Sequence, residues 1–252
     1  MASIISPVPP PSVLERAAAD RFDDGSCALV ALIQGSRLQL LQVGDCNALL
    51  LSTVTDAEGG SGAPADLAGV SAPTQHADGS AQAAAAPTHG SAQVGPARVR
   101  DRSLRCGELL CPAHRPLEPG EAKRLREAGV KVSAAGRIAG LAVSRAFGDR
   151  SHKLDLLPPG GLICVPDVVL RTLTTSDAFL VLACDGLWDF ISAHDACSIV
   201  SECVAREGAQ GAPYDSGVLE HAAKALVEAA LDCGGTDNVS VIVVNVEGVP
   251  LT

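Results

Sequence analysis

The sequence predicts an α+β domain built on antiparallel sheets. Short apolar runs of strand length are punctuated by Gly- and Asp-containing turns, two amphipathic helical stretches follow one another late in the chain, and no βαβ alternation links them. At 252 residues the chain is long enough to bury a sizeable core. Aromatic residues make up only 2% of it, so that core has to be assembled from Leu, Val, Ile and Ala.

Residues 27–33 (CALVALI), 37–43 (RLQLLQV) and 47–51 (NALLL) are separated by Gln34-Gly35-Ser36 and Gly44-Asp45-Cys46. Turn signals this close together read as a β-meander. From 54 to 97 the composition turns to Ala, Gly, Ser, Pro, Thr and Gln without any period of 2 or 3.6, which reads as a disordered insertion within one domain. Pro119-Gly120 then leads into EAKRLREAG, a short helix with Glu121 in its first turn and Gly129 at its C-terminal cap. Strands are expected at 167–173 and 178–184, the second (AFLVLAC) apolar throughout, as in a central strand. Ser192 caps a helix over 193–206. A second helix starts at Asp215 or Ser216, with a stripe of Val218, Ala222, Ala225, Leu226 and Ala229, and stops at Gly234-Gly235. The β-branched run 239–246 (VSVIVVNV) closes the domain, which spans 22–248 between an N-terminal extension (1–21) and a short tail (249–252).

Charge and composition narrow the partners. Nineteen Lys and Arg against 29 Asp and Glu give a net charge of −10, which repels phosphate backbones and anionic membranes, so neither nucleic acid nor a membrane is expected. No apolar run approaches the roughly 20 residues of a membrane helix, and Met1 to Pro11 has no secretory signal pattern. The nine cysteines contain no Cys-x-x-Cys pair, and reduced thiols in a cytoplasmic or nuclear monomer fit better than a disulfide framework.

Four acids stand where chemistry is expected. Asp185 directly follows the strand AFLVLAC, and Asp237 comes just before VSVIVVNV. If those strands are antiparallel neighbours, both carboxylates share one rim. Asp45 lies in the turn after RLQLLQV, and Asp189 follows Asp185 by one helical turn. Oxygen-only ligands suit Mg²⁺ or Mn²⁺. Acids at strand ends also form turns and caps without any metal, so spacing alone leaves both readings open.

The flanking residues carry more. GRIAGLAVSRAFGDRSHK (136–153), FLVLACDGLWDFIS (179–192) and GGTDNVSVIVV (234–244) resemble, in order and spacing, the PPM-type (type 2C) metal-dependent protein serine/threonine phosphatases. Weaker matches are GSCALVALIQGSRLQLLQVGDCNALL and HRPLEPGEAKRLREAGVKV. The resemblance implies a sandwich of two antiparallel β-sheets flanked by helices, here without the family's first strands and first helix pair. It implies a binuclear Mg²⁺ or Mn²⁺ centre with Asp185 and Asp237 among its ligands, and Asp45 and Asp189 on a weaker third ion. The activity implied is hydrolysis of phosphoserine and phosphothreonine on phosphoprotein substrates by a metal-activated water, without a phospho-enzyme. The helix after Glu118 and the loop through Asp149 resemble the family's flap, and Ser144, Arg145 and Asp149 are read as scaffold.

The family's Asp-Gly-His-Gly-Gly motif, which supplies a bridging Asp and a general-acid His, is not found in these 252 residues, so no catalytic residue is assigned. Cys46-Asn47 stands where Ser-Arg is usual, and Ala113 where an Asp precedes His114. His114 and His152 are expected to be exposed loop residues rather than substitute acids, and Cys184 an inert core thiol. Two readings follow: a phosphatase of which this is a fragment, slow as it stands, or a catalytically inactive binding or regulatory module of the same fold.

Overall fold

The structure is a computed structural model that describes residues 23–53, 104–207 and 216–247. The expectations for the extension at 1–21, the insertion at 54–97 and the tail at 249–252 lie outside the described residues. The strands are β1 (Gly25–Ser26), β2 (Ala28–Gln34), β3 (Arg37–Val43), β4 (Asn47–Thr53), β5 (Leu104–Leu109), β6 (Phe147–Gly148), β7 (Asp167–Thr172), β8 (Asp177–Ala183) and β9 (Val241–Asn245). The helices are α1 (Pro119–Glu127), α2 (Asp185–Trp188), α3 (Ala193–Glu207) and α4 (Ser216–Asp232), with a π-helical turn at His152–Leu156.

Two antiparallel sheets carry the domain, β2-β3-β7 and β5-β4-β8-β9, beside a small ribbon of β1 and β6. Period-two alternation sorts side chains between layers. Ala48 and Leu50 of β4 and Leu180 of β8 pack with Leu38 and Leu40 of β3 between the sheets. Leu49 and Leu51 of β4, with Phe179 and Val181 of β8, point the other way, into a core closed by Val200, Val204, Val218, Ala222 and Leu226 of α3 and α4. A third cluster, of Leu125, Val130, Ile138, Ala146 and Leu162, anchors α1.

The α+β expectation is met, but the β-meander is corrected. β2 and β3 form the predicted hairpin, with Gln34 opposite Arg37. β3 then pairs with β7, whereas β4 lies in the other sheet between β5 and β8. The reason is burial. NALLL is apolar on both faces and needs cover on both, which a strand lying between the β2-β3-β7 sheet and the helices receives. Gly44-Asp45-Cys46 is therefore a corner between sheets, not a turn within one.

Ser192 caps α3 as predicted: the Asp195 N–H donates to Ser192 Oγ at 3.1 Å, and that hydroxyl donates to Asp195 Oδ2 at 2.6 Å. Among the described residues no helix is long and apolar enough to cross a membrane. None of the nine cysteines forms a disulfide.

Candidate functional site

β8 and β9 are antiparallel neighbours with Ala183 opposite Val241, so the end of one strand meets the start of the other. Just beyond them, the Cys184 thiol donates to the Asn238 carbonyl at 3.3 Å and accepts from the Ser240 N–H at 3.2 Å. Cys184 is accordingly half-buried and hydrogen-bonded at the rim, a correction to its reading as a core thiol, because the apolar run ends one residue before it. Asp185 starts α2, and its Oδ1 accepts the Gly186 N–H at 3.0 Å. Asp237 is exposed, and its Oδ1 accepts the N–H of the next residue, Asn238, at 2.7 Å.

The helical turn expected at Asp185 is present, with the Asp189 N–H donating to the Asp185 carbonyl at 2.9 Å. Trp188 pins it to the sheet, its indole N–H shared between the carbonyls of Ala183 (3.1 Å) and Asn47 (3.2 Å). Asp45 occupies the corner after β3, only 5% exposed. That corner is held by side chains: Gln42 Nε2 donates to the carbonyls of Gly44 (3.2 Å) and Cys46 (2.6 Å), and the Gly44 N–H donates to His114 Nδ1 (3.1 Å). Gly44 has φ +99°, and a Cβ there would overlap the Cys27 side chain, so glycine is required. The Cys27 thiol lies 3.6 Å from Asp45 Oδ1 as donor.

Burial pushes the Asp185 carboxyl above its ordinary pKa, and the charges of Asp45, Asp237 and Asp189 push it further in the same direction. The charges of three of the predicted acids thus reach the fourth. Burial also drives the Cys27 thiol up to about 11 and the Cys46 thiol to about 12, which keeps both protonated and unreactive.

Arg115 sits among these acids, unpredicted. Its Nε donates to Asp45 Oδ2 at 3.1 Å and one terminal nitrogen to Asp189 Oδ1 at 2.6 Å. Burial works against the guanidinium charge, but Asp189 and Asp45 more than offset it and raise its pKa. The oxygen-only donors have the right chemistry for a hard divalent ion. Their arrangement does not: among the described residues no three His, Cys, Asp or Glu side chains gather so as to hold a metal, and two of the four acids already hold Arg115. Arg115 and Asp45 are 70 residues apart, a pairing that neither periodicity nor spacing encodes.

Next to the rim, Glu121 of α1 is the hub of a buried network. It accepts from Ser144 Oγ (2.6 Å), from Arg124 (2.6 Å) and from Arg145 (2.6 and 3.0 Å). Burial alone would raise its pKa, but the bonds from Arg145, Arg124 and Ser144 hold it down to about 2. Arg145 also bridges to Asp167 at 2.7 Å. Arg145 thus ties α1 to β7, and Ser144 secures Glu121 beside it.

His114 is buried rather than exposed, 1% accessible, a correction caused by the corner it supports. Burial lowers its pKa. With Nδ1 accepting from Gly44, the neutral ring carries its proton on Nε2, 3.2 Å from Asp167 Oδ2. His152 is likewise half-buried, its Nε2 3.3 Å from the Ala139 carbonyl. Asp149 is buried at φ +46°, and burial raises its pKa. Lys153 Nζ, nearby, donates to the carbonyls of Ala146 and Gly148 at 2.6 Å each.

The Protein phosphatase 2C family model matches residues 101–239, more than half of the chain, and the chain is a member of that family. It is 38% identical over 140 residues to a probable protein phosphatase 2C 8 of Oryza sativa subsp. japonica, covering 54% of this chain and 33% of that protein. It is 35% identical over 154 residues to an integrin-linked kinase-associated serine/threonine phosphatase 2C of Bos taurus, covering 59% of this chain and 40% of that protein. The chain spans a third to two fifths of the length of these relatives. The fold is similar to a serine-threonine phosphatase 2C from Toxoplasma gondii (TM-score 0.59, 20% identity, 93% of this chain and 63% of that chain). It is also similar to a C. elegans sex determining protein (TM-score 0.58, 19% identity, 93% and 43%).

Proposed function

We propose that this chain carries the catalytic rim of a protein serine/threonine phosphatase, which hydrolyses phosphoserine and phosphothreonine on proteins in the presence of Mg²⁺ or Mn²⁺. What supports the reading is membership of the Protein phosphatase 2C family, together with the upward push that the charges of Asp45, Asp237 and Asp189 exert on Asp185. Asp185 and Asp237 are the acids assigned to the main cations, and Asp45 and Asp189 to a weaker site.

The electrostatics support metal dependence. Four carboxylates against one guanidinium leave the rim negative, so a phosphate dianion is repelled from it unless cations are supplied.

The test is release of phosphate from a phosphothreonine peptide, and of p-nitrophenol from its phosphate ester, by this chain with Mn²⁺, with chelator, and as Asp185→Ala. Slow, Mn²⁺-dependent hydrolysis that Asp185→Ala abolishes supports the reading. The same rate in the variant, or no hydrolysis at any Mn²⁺ concentration, overturns it, and the second result favours the inactive binding module.

A further inference from the structure

Arg115 spans two acids of different character. Asp45 is buried in a corner locked by Gln42 and His114, whereas Asp189 is 45% exposed at the end of α2. The base of the arginine is fixed as well: its neighbour His114 is buried, the His114 and Gly44 backbones are hydrogen-bonded at 3.0 Å, and Pro116 follows. The side chain itself is 36% exposed.

We propose that Arg115 is the resident cation of Asp45 and Asp189 and that, by occupying both carboxylates, it keeps divalent ions off them. The inference rests on the phosphatase reading and says why this part of its site does not fit a metal ion as it stands. The guanidinium uses lone pairs of the same two carboxylates that a metal ion would need, and its positive charge repels a second cation from the pair. Neither element can be satisfied by both cations at once. Because such coupling is reciprocal, removing Arg115 must tighten divalent binding by as much as the bound ion loosens Arg115, and couplings of this kind run to about 5–150-fold.

The experiment is calorimetric titration of Mn²⁺ into the wild type, Arg115→Met, and Arg115→Met combined with Asp189→Asn, with thermal denaturation of each in chelator. Methionine keeps an unbranched apolar stem and removes the charge. The expected result is Mn²⁺ binding to Arg115→Met about tenfold tighter than to the wild type, with the gain lost on adding Asp189→Asn. In chelator Arg115→Met should melt below the wild type, since Asp45 loses its cation, and Mn²⁺ should recover more of that loss than it adds to the wild type.

Equal or weaker Mn²⁺ binding by Arg115→Met overturns the proposal, as does a gain that survives Asp189→Asn. Should Arg115→Met fail to fold, Arg115→Lys decides: a lysine is a point charge that cannot bridge both acids with two directed donors, so it must bind Mn²⁺ more tightly than the wild type, and equal binding overturns the proposal. Phosphate release is scored separately. Tighter binding without hydrolysis leaves the exclusion standing and removes the phosphatase reading, whereas hydrolysis lost in Asp185→Ala with unchanged binding in Arg115→Met does the reverse.

Discussion

Gly186 lies so close to Asn238 that a Cβ added to it would overlap the Asn238 carbonyl oxygen. The residues that follow Asp185 and Asp237 are therefore in backbone contact, and this contact sets the separation of the two acids. Gly186→Ala has to push α2 away from the start of β9. Overpacking of this kind costs about 1–3 kcal/mol, and Mn²⁺ affinity should fall together with stability. Urea denaturation and calorimetry measure both, and an alanine variant as stable as the wild type would show that the contact yields without cost.

The Glu121 network predicts a specific pH dependence. The carboxyl has an ordinary pKa of 4.5 and is held at about 2 in the fold. A depressed folded pKa contributes stability that is fully present above about 4.5 and is lost as pH falls toward 2. Glu121→Gln leaves Arg145 and Arg124 without their shared anion and should cost about 3 kcal/mol at pH 7. Its deficit should shrink between pH 4.5 and 2 as the wild type loses the same interaction. Melting curves at pH 7, 4 and 2.5 test this, and a constant deficit across that window would place the stabilising charge elsewhere.

The parts of the fold that repeat a local pattern were legible in the sequence. The stripe of α4 and the Ser192 cap follow from periodicity and turn chemistry, whereas the β8–β9 pairing entered the sequence reading only as a condition, which the structure meets. β5 was not legible, because LRCGEL has charges at two of its six positions and a glycine between them. The exchange of β4 between sheets was hidden too, since a turn signal does not say whether the chain folds back or crosses over. Arg115, Glu121 and Asp167 form pairs across long sequence separations, and nothing local marks either partner. His114 looked like a loop residue because its buried role depends on the Gly44 corner, which only the assembled sheets create.

Thr53 at the end of β4 and Leu104 at the start of β5 are cross-strand partners, so the chain leaves and re-enters the sheet at one point. Residues 54–103 can then be replaced by Asn-Gly, which favours the type I′ turn that closes a two-residue hairpin. Shortening the connection also reduces loop-closure entropy. The melting temperature should stay within about 5 °C of the wild type or rise. Loss of a cooperative transition would mean that the replaced residues support the sheet.

A final prediction sets stability against function at Asp185. Burial and three neighbouring acids disfavour its charged form, so in chelator the folded chain holds a repulsive group. Asparagine has nearly the same shape, keeps an oxygen that can accept the Gly186 N–H now bound to Oδ1 at 3.0 Å, and carries no charge. Asp185→Asn should therefore melt about 2–4 °C above the wild type without metal. Saturating Mn²⁺ should reverse the order, because an ion that binds only the folded state raises the melting point of the chain that still has its carboxylate. The crossing of the two curves on adding Mn²⁺ is the diagnostic. If Asp185→Asn is the less stable protein even in chelator, the four acids do not repel one another, and the shared rim on which the functional reading depends does not exist.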